Sequence, residues 1–162
     1  MDSSPTSLPR STKRVLEAAK ALGLAAEIVE MPESTRTAVE AAAACRCDVA
    51  QIVKSLVFRG RQSGKPLLLL VSGANRVDEE KAALHVGEPL ARPDAHFVRD
   101  TTGYAIGGIP PFGHDVPVAT YMDPDLLKFE VIWAAAGTPR TVIRLEPAAL
   151  RDATGAKVIP MV

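Results

Sequence analysis

Apolar residues first recur at helical spacing at Val15, Leu16, Ala19 and Leu22, with Ser11 or Thr12 placed to cap the segment and Gly23 to stop it. Glu27 to Met31 reads as a short strand and Pro32 to Arg36 as a loop. Thr37 precedes Glu40 by a capping-box spacing, which opens a second, alanine-rich helix. Asp48 and Gln51 repeat that spacing just before Ile52 and Val53, predicting one helical turn that feeds a strand over Ser55 to Phe58. Gly60 to Gly64 punctuates a hairpin, and Leu67 to Val71 is an unbroken aliphatic run. Such a run marks a strand covered on both faces, so it is expected at the centre of the sheet.

Val77 to Val86 is acidic at its start and apolar on one side, and Pro93 to Thr102 has the same character with Gly103 as terminator, so both read as helices. Val118 to Met122, Val131 to Ala135 and Thr141 to Leu145 add strands, and Pro147 to Thr154 forms a last helix ended by Gly155. Strands and helices alternate without an internal repeat or an interdomain linker. The expectation is a single α/β domain over residues 11–162, with a mixed, curved, barrel-like sheet surrounded by helices, after a flexible polar start over residues 1–10.

The 162 residues and 17.2 kDa suit one core, built from aliphatic side chains because only 4% of residues are aromatic. Nineteen Lys plus Arg balance nineteen Asp plus Glu, so no bulk positive field draws a nucleic acid from a distance and any RNA contact must be local. That makes a generic nucleic-acid binder a poor reading. Runs such as Pro66 to Val71 fall far short of the roughly 20 residues a membrane span needs. The start of the chain lacks the apolar stretch of a secretory signal, so a cytoplasmic location is expected. Cys45 and Cys47 lie too close in sequence for an unstrained disulfide and have no second pair to complete a zinc site, so both read as reduced thiols.

Two segments break the pattern. In Gln51-Ile52-Val53-Lys54-Ser55-Leu56-Val57-Phe58 a cation stands inside an apolar run, on the face of Ile52, Leu56 and Phe58 if the segment is extended. Either Lys54 snorkels to solvent at a strand end, or it lines a cleft and awaits an anionic group of a ligand. The other segment, Gly103 to His114, holds Gly107-Gly108 and Pro110-Pro111. It is either a tight structural turn or a loop whose bare amides can face a carbonyl under attack. It lacks the Gly-Lys-Ser or Gly-Lys-Thr of a phosphate-binding loop. His114 follows it and is a candidate for proton transfer, while Trp133, set among aliphatic residues, reads as core. No Ser-His-Asp or Cys-His pattern is visible.

Lys54 within Gln51-Ile52-Val53-Lys54-Ser55-Leu56, followed by Gly107-Gly108-Ile109-Pro110-Pro111-Phe112-Gly113, resembles the YbaK/ProX group of aminoacyl-tRNA deacylases. The likeness extends from about Leu16 to Val158 and includes Ser34-Thr35-Arg36-Thr37 and Ile132-Trp133-Ala134-Ala135-Ala136-Gly137. It implies a YbaK-like fold and a freestanding editing domain, similar to that inserted in prolyl-tRNA synthetases, which hydrolyses mischarged tRNA in trans without metal or cofactor. By the same resemblance Lys54 and Ser55 hold the terminal nucleotide and the ester, while Gly107, Gly108 and Ile109 supply backbone groups around the carbonyl. Water is the implied nucleophile, or a substrate thiol in cysteine-specific members.

Met31, Thr35, Phe112, Ala135 and Val142 are expected around the amino-acid side chain, with Arg36, Pro111 and His114 also toward the substrate and Arg59 toward RNA. Cysteine-specific members are polar where this chain has Ala135 and Val142, so the pocket is expected to favour alanine or 2-aminobutyrate on proline tRNA, then serine or threonine, then cysteine. Ala135 is equally readable as plain strand packing. The expected partners are the acceptor end of mischarged tRNA and, beyond it, prolyl-tRNA synthetase or an elongation factor, with no DNA or membrane. The alternative is a non-catalytic module of the same fold that binds aminoacyl-tRNA or a synthetase.

Overall fold

A computed structural model describes residues 8–32 and 37–162. In chain order these form α1 (Arg10–Ala21), β1 (Glu27–Glu30), α2 (Ala38–Cys45), a 3-10 turn (Val49–Gln51), β2 (Val53–Gly60), β3 (Pro66–Ser72), α3 (Glu79–Val86), β4 (Leu90–Ala91) and α4 (Ala95–Thr102). There follow β5 (Ala119–Met122), a second 3-10 turn (Pro124–Lys128), β6 (Ile132–Ala135), β7 (Thr141–Leu145), α5 (Pro147–Thr154) and β8 (Lys157–Val158). Every helix and strand expected from the sequence is present. The two-residue strands β4 and β8 and the second 3-10 turn are additions.

Strands are mixed in direction and divide into a five-stranded sheet, ordered β4-β2-β3-β5-β8, and a three-stranded one, ordered β1-β7-β6. β3 lies at the centre of the larger sheet, antiparallel to β2 and parallel to β5. Its aliphatic run explains the position. Leu68 and Leu70 point into a core shared with α1, α5 and the smaller sheet, while Leu67, Leu69 and Val71 point into a second cluster under α3 and the C-terminal Ile159 and Met161. Among the described residues one isolated parallel bridge, Ile52 to Trp133, joins the two sheets.

Both capping boxes form. The Thr37 hydroxyl accepts from the Glu40 N–H at 3.1 Å, and the Asp48 N–H donates to the Gln51 side chain at 2.9 Å. The first helix departs from expectation: it starts at Arg10 after Pro9, with no side-chain cap. Thr12 lies inside it, fully buried, and its hydroxyl donates to the Ala136 carbonyl at 2.8 Å instead of capping. A buried hydroxyl is satisfied either way, and here the long-range acceptor wins.

Candidate active site

Where β2 and β6 meet, a cavity of about 390 Å³ is lined by both strands. Its apolar wall includes Ile52, Leu56, Ile106, Trp133, Ala135 and Val142. Lys54, Ser55, Thr138 and Thr141 contribute the polar groups, and Gly107 and Ile109 bring the glycine-rich segment to the same space. Lys54 and that segment, far apart in sequence, therefore face one hollow.

The half-buried Lys54 donates from Nζ to the Asn75 carbonyl oxygen. An ammonium carries three donors, so two remain for an occupant. Burial lowers the Lys54 pKa below the ordinary lysine value, and the negative charge of Asp123 works against that fall. Beside it the Ser55 Oγ is buried with no hydrogen-bond partner, an orphan of the kind that calls for a ligand or a water. In the connection from β6 to β7 Thr138 Oγ1 lies 2.8 Å from Thr141 Oγ1 on β7, which lies 3.0 Å from Thr12 Oγ1. This chain of hydroxyls ties the cavity wall to α1.

The glycine-rich segment is anchored on both sides of its apex. Tyr104, Ile109 and Phe112 are buried in the main core, and the Arg14 guanidinium lies 4.7 Å from the Tyr104 ring centre while pairing with Asp115. Gly107 adopts φ +98°, a conformation that side chains other than glycine rarely hold. The Gly108 N–H donates to the Ala105 carbonyl at 3.0 Å and its carbonyl accepts from Gly137 at 2.9 Å. Gly108 thus spends its polar groups on the shape of the loop, contrary to the expectation that it faces the substrate. The Ile106, Gly107 and Ile109 N–H groups have no acceptor among the described residues, so amides of this segment are free to donate to a bound carbonyl.

Several expected site residues lie elsewhere. Met31 is buried, its N–H donating to the Arg140 carbonyl at 2.7 Å, and is not among the lining residues. Pro111, Phe112 and His114 border a second hollow of about 240 Å³, against Leu68, Val118 and α5. The chain bends at Pro111 and Phe112, so these residues line this hollow and not the one Gly107 lines. There His114 Nε2 makes a 2.7 Å hydrogen bond with the Pro110 carbonyl, and Nδ1 is buried without a partner. Burial is the larger effect on this imidazole and lowers its pKa, with the Pro110 contact opposing it. Arg59 bonds the Gly64 carbonyl and lies 4.9 Å from the Phe97 ring centre. Thr35 and Arg36 lie outside the described residues.

The sequence reading missed Trp133, Thr138 and Thr141. Trp133 is only half-buried and forms cavity wall instead of core, because burial alternates along β6 and puts it on the face of Ala135. Cys45 and Cys47 are free thiols, and the Cys45 pKa is pushed up to about 11, chiefly by burial and then by Cys47. Its thiolate is scarce near neutral pH, which disfavours it as a nucleophile. Among the described residues, no group of three or more His, Cys, Asp or Glu could hold a metal ion, and no helix is long and apolar enough to cross a membrane.

The family model of the aminoacyl-tRNA editing domain matches residues 32–153. A Bacillus subtilis (strain 168) protein, the uncharacterized YwhH, is 31% identical over 134 residues, covering 82% of this chain and 83% of its own. A solved structure described as a "putative trans-editing enzyme for prolyl tRNA synthetase" is 49% identical with a TM-score of 0.90, over 96% of this chain and 98% of that one. A scaffold protein solved in work on computational epitope grafting is 45% identical with a TM-score of 0.88, over 95% and 97% of the two chains.

Proposed function

Because this chain belongs to the aminoacyl-tRNA editing domain family, we propose that it is a trans-acting deacylase. On this reading it hydrolyses the ester of tRNA-Pro charged with a small wrong amino acid, alanine or 2-aminobutyrate before serine or threonine, and cysteine last. The observation that carries the reading is the shared cavity, with the Lys54 ammonium on its wall beside the Gly107 and Ile109 amides, which have no acceptor among the described residues. Its volume of about 390 Å³ is at the small end of the usual range for ligand sites, roughly 300 to 1,000 Å³. Such a space suits a short side chain with its ester and part of a ribose.

Lys54 holds the anionic or oxygen-rich part of the terminal nucleotide, with Ser55 Oγ donating beside it. The ester carbonyl lies toward the Gly107 and Ile109 N–H groups, which stabilise the oxyanion as water adds to the carbonyl carbon. The tetrahedral intermediate then expels the ribose oxygen, which takes a proton that originated on the water. Free amino acid and intact tRNA leave. Among the described residues that line the cavity none is an Asp, Glu or His, and on this reading the proton moves through water and the substrate's own groups. Ala135 and Val142 leave the side-chain pocket apolar, which favours alanine and 2-aminobutyrate over hydroxylated competitors.

The need for a second pocket is physical. A single methylene gives a synthetase only about 1 to 3 kcal/mol of discrimination, so small amino acids are mischarged. The test is deacylation across a panel in which amino acid and tRNA are varied separately. Release of alanine and 2-aminobutyrate from tRNA-Pro, faster than from other tRNAs, is expected. Binding without release across the panel would instead establish a non-catalytic module.

A further inference from the structure

We propose that Asp123 and Asn75 are positioning residues that hold the Lys54 ammonium at the cavity wall, an inference that rests on Lys54 gripping the substrate as read above. Asp123 immediately follows β5 and is fully buried. A carboxylate withdrawn from water is costly unless it is paired and hydrogen-bonded. Its Oδ2 accepts from the Ser72 N–H at 3.1 Å and from Asn75 Nδ2 at 2.8 Å, and its Oδ1 accepts from the Asp125 N–H at 2.9 Å. All three donors are neutral. Without direct contact, the charge acts on the half-buried Lys54 at the cavity wall and on the exposed Lys128.

Asn75 is the link. Its side-chain amide is held by Asp123 and, also at 2.8 Å, by Asp125, while its main-chain carbonyl receives Lys54 Nζ. The same residue thus fixes the acceptor for the ammonium at one end and is fixed by the buried carboxylate at the other. Asp125 is itself paired with the exposed Lys128 at 2.8 Å, so Asp123 is the charged group acting on Lys54 among the described residues. Capping alone does not account for the arrangement: an Asp that only starts the turn Pro124–Lys128 serves equally well in water. Full burial, with Asn75 drawn between Asp123 and Lys54, points to control of the lysine.

The experiment follows the Lys54 side chain by NMR titration in ligand-free protein, and kcat/KM for alanyl-tRNA-Pro against pH, in wild type, Asp123→Asn and Asn75→Ala. Removing the Asp123 charge leaves burial unopposed, so Lys54 is expected to lose its proton at lower pH and the alkaline limb of kcat/KM to move down with it. Asn75→Ala keeps the carbonyl but frees it to wander, and is expected to raise KM about tenfold with little change in kcat. Asn75 is in a partly exposed turn, so its variant carries the test if Asp123→Asn fails to fold. A Lys54 titration identical to wild type in Asp123→Asn, together with an unchanged KM in Asn75→Ala, overturns the inference. A shifted titration with an unmoved kcat/KM profile keeps Asp123 as the group that governs the lysine and instead overturns the role given to Lys54 in deacylation.

Discussion

Gly108 lies main chain to main chain against Gly137, whose N–H donates to the Gly108 carbonyl at 2.9 Å. A Cβ on Gly108 would stand 2.5 Å from the Gly137 carbonyl oxygen and 2.7 Å from the Thr138 nitrogen. Neither obstacle is a flexible side chain, so backbone must move. Gly108→Ala is expected to cost about 1–3 kcal/mol in urea unfolding, as overpacking does. Because Gly107 and Thr138 both line the cavity, deacylation should fall further than the unfolded fraction explains.

The Thr12 hydroxyl joins α1 to the segment between β6 and β7 through the Ala136 carbonyl and Thr141 Oγ1. Thr12→Val keeps the shape and removes the donor. Thr141 Oγ1, 3.0 Å from the same carbonyl, still reaches it, so the expected loss is about 1–2 kcal/mol and not an unfolded chain. Chemical denaturation of the two proteins side by side measures it.

His114 gives stability a pH dependence. Burial makes the folded imidazole harder to protonate than the unfolded one. Above the ordinary imidazole pKa both states are neutral and the residue contributes no slope. As pH falls through about 6.5 the unfolded chain takes up a proton that the folded site resists, so stability drops, and the drop ends below the lowered folded value. His114→Gln is expected to flatten this part of the unfolding free energy as pH falls below about 6.5. An equally steep loss in the variant would remove His114 as the cause.

Ala135 and Val142 share the cavity wall with Trp133. Ala135→Val should crowd the longer substrate first, lowering kcat/KM for 2-aminobutyryl-tRNA relative to alanyl-tRNA by about tenfold, the lower end of what one methylene can discriminate. Competition between the two charged tRNAs gives the ratio directly. If the ratio stays constant, Ala135 is strand packing and the side-chain pocket lies elsewhere.

What could be read in advance followed from signals that are local in the chain. The run Leu67 to Val71 fixed a central strand because every residue is apolar, and the Thr37/Glu40 and Asp48/Gln51 spacings located two helical starts. Lys54 and Gly107 stood out because each violates its surroundings, a cation among aliphatics and a glycine pair beside prolines. Two-residue strands such as Leu90–Ala91 have no period to detect. Ser11 or Thr12 reads as a cap because the true acceptor of the Thr12 hydroxyl, the Ala136 carbonyl, is distant in sequence. The same distance hid Thr138 and Thr141. Chain proximity to Gly107 suggests the same site for Phe112 and His114, but past the bend at Pro111 and Phe112 they line the second hollow.

The most direct test is single-turnover hydrolysis of alanyl-tRNA-Pro by Lys54→Ala, with thermal unfolding measured on the same sample. The account predicts a folded protein whose rate falls at least about a hundredfold, the loss expected when the group that holds the substrate in its reacting position is removed. A variant that cleaves the ester as fast as the wild type would contradict it.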